Sequence, residues 1–281
     1  DTPRLQETIT RILTPGKGIL AADDSSGTIK KRFDTIKVES TEGNRRSYRN
    51  LLFTAHGMEE WISGVILFDE TVDQNDDTGV LFPVLLAGKG IVPGIKTDEG
   101  MEEHPNVAGQ KITRGLKGLS KRLALYTERS KGTLRFTKWR QAILVEPRPS
   151  DAYLDYVSHV MAEQAAQAIA AGYVPINEPE ILMDGAHTIS QCAEVTERTL
   201  RTFFEKLEAH GVDPAPTILK TNMVLSGKEL KKDAPDIVGK ATLEVFRKSL
   251  PKELPGIVFL SGGQSALQAT ENLHACALEA K

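Results

Sequence analysis

The sequence predicts an α/β fold, a single barrel of parallel strands with crossover helices, and three observations carry that prediction. Seven short apolar runs recur at roughly 30 to 45 residues. Several are nearly continuous in Val, Ile and Leu, as strands buried on both faces must be. The stretches between them keep helical spacing, and strand–helix alternation demands parallel pairing, because two parallel neighbours need a long crossover. A length of 281 residues suits one such domain, 1–281. No linker, low-complexity segment or composition shift marks a second one. An open doubly wound sheet is the competing architecture. Its dinucleotide-binding form is disfavoured, because no GxGxxG follows the first run.

Taken in order, the runs are GILAAD (18–23), SGVILFDE (63–70), GIVPGIKTD (90–98), FTKWRQAILV (136–145), YVPINEPEIL (173–182), TILKTNMV (217–224) and GIVFLSGG (256–263). Leu116, Leu119, Leu123 and Tyr126 mark a helix before the fourth run. Leu154, Val157, Met161, Ala165 and Ala168 mark one before the fifth, with Gly172 placed to stop it in the left-handed conformation. The stretch EGMEEHPNVAGQKITRG (99–115) fits neither period and reads as a surface loop. The segment QSALQATENLHACALEAK is the seventh helix. A closed barrel needs eight strands, and a seven-stranded one leaves two edges. Either one strand goes unread in the sequence or the native chain continues past Lys281, and the expectation is the second.

Composition excludes several classes. The formal charge of -3 comes from 35 basic and 38 acidic residues with no basic block, so neither nucleic acid nor an anionic membrane is the expected partner. No apolar run approaches a membrane span. The N-terminus has no signal-peptide core. Two cysteines, Cys192 and Cys276, stand far apart without a CxxC, which suits a reducing compartment and a cytoplasmic protein.

Chemistry in parallel α/β barrels sits at the C-terminal strand ends. Here those ends carry Asp23, then Lys96 and Asp98, then Lys138 and Arg140, then Glu178 and Glu180, then Lys220, and last Ser261, Gly262 and Gly263. Residues two apart on a strand share a face, so Glu178 and Glu180 point one way, as do Lys138 and Arg140. Pro179 has no N–H to donate and belongs at a strand end. Any one of these charges could simply be solvated, but their concentration at the strand ends argues for a site. Lys220 is the sharpest case, a lysine inside an apolar strand. An ammonium removed from water is disfavoured, and a neutral amine attacks carbonyls to form a Schiff base. Lys138 is the neighbouring cation, while Asp23, Glu178 and Glu180 supply carboxylates to move protons. The alternative is a structural ion pair between Lys220 and Glu178 or Glu180.

For an anionic substrate, Ser261, Gly262 and Gly263 can present backbone N–H groups at the start of the last helix. Ser25, Ser26 and Thr28 can donate hydroxyls or cap a helix. Lys31 and Arg32 add charge, and Arg45 and Arg46 read as a solvated helix face. The six histidines show no ligand spacing, which disfavours a zinc-dependent lyase.

The ordered motifs GKGILAADDSSGTIKKRF, GVILFDETV, GIKTDEG, FTKWR, VPINEPEIL, LKTNMV and FLSGGQS resemble class I fructose-1,6-bisphosphate aldolase, from about Pro15 to Gln264 and more weakly beyond. The resemblance implies a (β/α)8 TIM barrel, a Schiff-base mechanism with no metal or cofactor, a sugar-phosphate substrate and a homotetramer. It assigns Lys220 as the Schiff-base former, Glu178 as the acid/base with Glu180 in support, Asp23 to the C4-hydroxyl proton, and Lys138 as a charge partner with Arg140 beside it. Lys96, Ser25, Thr28, Arg32 and Arg45 fall on substrate and phosphate positions, and Ser261 and Gly262 on the one-phosphate site. Thr221 stands where the family has proline, Asn177 where it has an apolar residue, and DDSS where an acidic-Ser-Thr run is commoner. The family's eighth strand, its phosphate-binding glycine and arginine, and its tyrosine-ended tail have no counterpart in these residues. Another Schiff-base lyase or transaldolase on a related sugar phosphate is the enzymatic alternative, and a non-catalytic scaffold for cytoskeletal partners the other.

Overall fold

The computed structural model describes residues 2–281, and these fall into two compact units. The first holds residues up to 97 together with 118–138 and 167–175; the second holds 98–117, 139–166 and 176–281. Main-chain pairing links seven strands in the order β1 (Gly18–Ala22), β2 (Ile62–Leu67), β3 (Val92–Lys96), β6 (Phe136–Ile143), β7 (Val174–Ile181), β8 (Ile218–Thr221) and β9 (Ile257–Phe259). Every described pairing among them is parallel. Each of the seven apolar runs supplies one strand, shorter than the run itself.

In the first unit, α1 (Thr2–Ile12), α2 (Ser26–Thr35), α3 (Glu42–Phe53), α4 (Met58–Trp61) and α5 (Phe82–Gly88) precede or connect the strands. The helix α6 (Leu119–Arg129) begins later than the apolar spacing suggests, because Gly118 sits at φ 75° and interrupts it, leaving Leu116 outside. Gly94 on β3 is required by packing. A Cβ there would lie 2.3 Å from the ring of Phe136, its register partner on β6.

Helix α7 (Asp151–Ala170) starts in the second unit and has its last residues in the first, and it buries the expected stripe of Leu154, Val157, Met161 and Ala165. Gly172 at φ 81° ends it, with the Tyr173 N–H reaching back to the Ala168 carbonyl at 2.9 Å. The helices α8 (Ile189–Ala209), α9 (Pro235–Ser249) and α10 (Ala266–Glu279) follow β7, β8 and β9. Thr188 caps α8 through a full capping box with Gln191.

Residues 99–115 correct the sequence reading. They contain an antiparallel hairpin, β4 (Met101–Glu103) against β5 (Lys111–Thr113). Three-residue strands with mixed polarity carry too little periodicity to be legible. Their order comes from elsewhere in the chain: Gln141 Oε1 accepts the Thr113 N–H at 3.1 Å, and Gln110 donates to the carbonyls of Leu144 and Pro147.

Candidate active site

Register alone brings the key residues of each unit together. In the second unit, Asn177 pairs with Leu219 and Leu219 with Ile257. One residue further along, Glu178 and Lys220 fall side by side, with Lys220 paired to Val258. The Lys220 Nζ lies 2.7 Å from Glu178 Oε1, and the two residues are only 8% and 3% exposed. A lysine this buried without such a partner would be costly. The pair is therefore what lets an apolar strand carry an amine.

Two residues along the same face, Glu180 accepts from Arg140 Nε. Burial lowers the affinity of the Arg140 guanidinium for its proton, but Glu180, Glu178 and Asp98 outweigh it and hold the group above its usual value. Asp98 also accepts the Arg140 backbone N–H at 3.4 Å.

Pro179 lies inside β7 rather than at its end, because side chains take over the bonding there. The Asn222 Oδ1 accepts the Ile181 N–H at 2.8 Å, and Thr221 Oγ1 donates to the Pro179 carbonyl at 3.4 Å. That contact gives Thr221, fully buried, a role in tying β8 to β7. Nothing in the structure explains Asn177 beside Glu178.

The phosphate candidates of this unit follow β9. Gly262 and Gly263 take φ 45° and 82°, which glycine alone adopts easily. A Cβ on Gly262 would also lie 2.8 Å from Leu260 Cδ1. Ser261 is exposed ahead of them, and Ser265 caps α10.

In the first unit the register Ala22–Leu67–Ile95 places Asp23, Phe68 and Lys96 in the next row, and Lys96 pairs directly with Lys138. The Lys138 Nζ is 3.0 Å from Asp23 Oδ2, both buried. Beyond Asp23, Ser25 caps α2 by accepting the Thr28 N–H at 3.3 Å, and its hydroxyl lies 3.2 Å from that of Thr28. Arg32 pairs with Asp24 at 3.2 Å.

Arg45 requires correction as a solvated helix residue. Its side chain is 14% exposed, and its Nε donates to Glu70 Oε1 at 2.9 Å. The hydrogen bond to Glu70 raises the guanidinium above its usual value. Sequence reasoning missed Arg49 and Glu70. Arg49 is fully buried and donates to Glu70 and to the Asp24 carbonyl. The spacing of four residues between Arg45 and Arg49 on one helix was the available signal. Among the described residues, no group of three or more His, Cys, Asp or Glu side chains is arranged to hold a metal ion.

A parallel α/β fold with a buried amine against a carboxylate at its strand ends has the equipment of an enzyme acting on carbonyl compounds. Comparison with known proteins narrows that class. The family model for glycolytic class-I fructose-bisphosphate aldolase matches residues 4–280. Fructose-bisphosphate aldolase 1 of Toxoplasma gondii is 46% identical over 274 residues, 96% of this chain and 75% of the relative. The cytosolic fructose-bisphosphate aldolase 6 of Arabidopsis thaliana is 45% identical over 263 residues, 93% of this chain and 73% of the relative. A solved aldolase from Plasmodium falciparum, in complex with TRAP and a small-molecule inhibitor, superposes with a TM-score of 0.93 at 42% identity, covering 97% of this chain and 79% of that one. The chain belongs to the class I fructose-bisphosphate aldolase family, and its fold class is the (β/α)8 TIM barrel.

Proposed function

We propose that this chain cleaves fructose 1,6-bisphosphate reversibly to dihydroxyacetone phosphate and glyceraldehyde 3-phosphate through a Schiff base on Lys220. The observation that carries the reading is the buried Lys220–Glu178 contact of 2.7 Å. Family membership supplies the reaction, and the contact supplies the groups that start it. Glu178 takes a proton from the Lys220 ammonium, and the neutral amine adds to the C2 carbonyl of the open-chain ketose. The carbinolamine then loses water, with Glu178 returning a proton to the departing hydroxyl. The resulting iminium draws the electron pair of the C3–C4 bond into an enamine. The C4-hydroxyl proton passes to Asp23, for which Lys138 supplies the countercharge, and the aldehyde product leaves. Protonation at C3 and hydrolysis of the iminium release the second product and the free lysine.

Arg140 orients Glu180 on the same strand face as Glu178. Ser261, Gly262 and Gly263 are assigned to one phosphate, and Lys96, Ser25, Thr28, Arg32 and Arg45 to substrate and phosphate contacts. Arg45 is held by Glu70, which leaves only part of its fork for a ligand. We further assign the chain to one barrel domain, a homotetramer and the cytoplasm. The family match over residues 4–280 supports the single domain, the Arabidopsis relatives named cytosolic support the cytoplasm, and the tetramer is carried over from the family resemblance. Among the described residues, no helix is long and apolar enough to cross a membrane. Light scattering should return the mass of four chains, and a smaller mass would refute the tetramer. Turnover of fructose 1,6-bisphosphate by wild type, and its absence in Lys220→Arg, tests the activity. Equal turnover by the two proteins would overturn the mechanism.

A further inference from the structure

Strand β1 ends its ladder at Ala22, so Asp23 stands one residue beyond the sheet pairing that orders its neighbours. Its carboxylate nonetheless has to meet a single hydroxyl with sub-ångström accuracy if it is to take a proton during bond cleavage. What fixes the turn is a buried arginine from α3. Arg49 has no exposed surface. Its Nη2 donates to the Asp24 carbonyl at 2.8 Å and its Nη1 to Glu70 Oε1 at 3.3 Å. Its guanidinium carbon lies 5.8 Å from the centre of the Phe68 ring, and Phe68 shares the cross-strand row with Asp23 and Lys96. Glu70 is locked in turn by Arg45.

A guanidinium taken out of water costs free energy, and one salt partner shared with a second arginine does not neutralise it fully. The arginine is thus spent on a main-chain carbonyl next to Asp23. A core position would be filled more cheaply by an apolar side chain. We propose that Arg49 is a positioning residue for the cleavage step, holding the Asp23–Asp24 turn so that the Asp23 carboxylate stays on Lys138 and on the substrate hydroxyl. The inference rests on the role given to Asp23 above. It separates Arg49 from the covalent step, since imine formation belongs to Lys220 and Glu178.

That separation makes it testable on the intact chain. Two activities are measured: steady-state cleavage of fructose 1,6-bisphosphate, and borohydride trapping of dihydroxyacetone phosphate on Lys220, which requires no C3–C4 bond cleavage. Arg49→Lys keeps the charge but not the fork. Arg49→Gln keeps an amide NH2 to donate and removes the buried charge, while Glu70 remains paired with Arg45. Asp23→Asn is run beside them. The expected result is that both Arg49 variants lose about 10- to 100-fold in cleavage kcat, the scale of a misplaced catalytic group, while trapping stays at the wild-type level. Cleavage at the wild-type rate in either Arg49 variant, with Asp23→Asn crippled, would overturn the inference. So would a parallel loss of cleavage and trapping, which marks a merely structural arginine. Wild-type cleavage by Asp23→Asn would remove the role of Asp23 itself, and the positioning role with it.

Discussion

Replacing Glu178 with glutamine isolates the proton from the contact. The amide has the same size as the carboxylate, and its oxygen can still accept from Lys220 at the 2.7 Å seen in the native pair. It cannot take a proton away. Both side chains are buried, so water is a poor substitute acceptor. The loss should therefore be that of a positioned general base, on the order of 10² to 10⁴ in the rate of imine formation. That corresponds to about 2.7 to 5.4 kcal/mol of barrier. The assay is a quenched-flow time course of borohydride-trappable enzyme after mixing with dihydroxyacetone phosphate, beside steady-state cleavage. Both rates should fall together, while the trapped end point reaches that of wild type. Imine formation at the wild-type rate in the variant would refute Glu178 as the base and leave the pair a structural one.

The remaining expectations concern the pair's stability, packing and thiol chemistry. Lys220→Met takes away the cation 2.7 Å from the buried Glu178 carboxylate, a change of up to about 3 to 5 kcal/mol. At about 2.1 cal/mol/K of unfolding entropy per residue, that lowers Tm by roughly 5 to 8 °C for a chain of 281 residues. Adding Glu178→Gln should restore much of the loss in calorimetry, and strictly additive effects would contradict a coupled pair. Gly94→Ala forces a Cβ to 2.3 Å from the Phe136 ring and should cost about 1 to 3 kcal/mol in urea unfolding; an unchanged midpoint would contradict the packing. Burial holds the Cys192 thiol above its usual value, so its thiolate is scarce at pH 8. Peptide mapping after iodoacetamide should show Cys192 modified much more slowly in native than in urea-unfolded protein, and equal rates would contradict its burial.

Strands β2, β3, β6, β7 and β8 were legible because they are buried nearly throughout, which forces continuous apolar runs, and a charge at the end of such a run stands out. Lys220, Glu178 and Lys138 are visible in the sequence for that reason. Their pairing is not, because Glu178 meets Lys220 only through the register of β7 on β8. Arg49 was overlooked for a related cause. On α3 it looks like its half-buried neighbour Arg46, and only partners distant in sequence, Glu70 and the Asp24 carbonyl, make it a fully buried residue. Thr221 likewise looks like an arbitrary replacement until the Pro179 carbonyl is found above its hydroxyl. The hairpin of residues 101–113 shows the opposite limit: its order comes from Gln110 and Gln141, and local pattern carries none of it.

The central claim is that Lys220 forms the covalent bond. Native protein incubated with dihydroxyacetone phosphate, reduced with borohydride and digested should yield one stably modified peptide, with the added mass on Lys220. An adduct on another lysine, or none in a preparation that cleaves fructose 1,6-bisphosphate, would contradict the account.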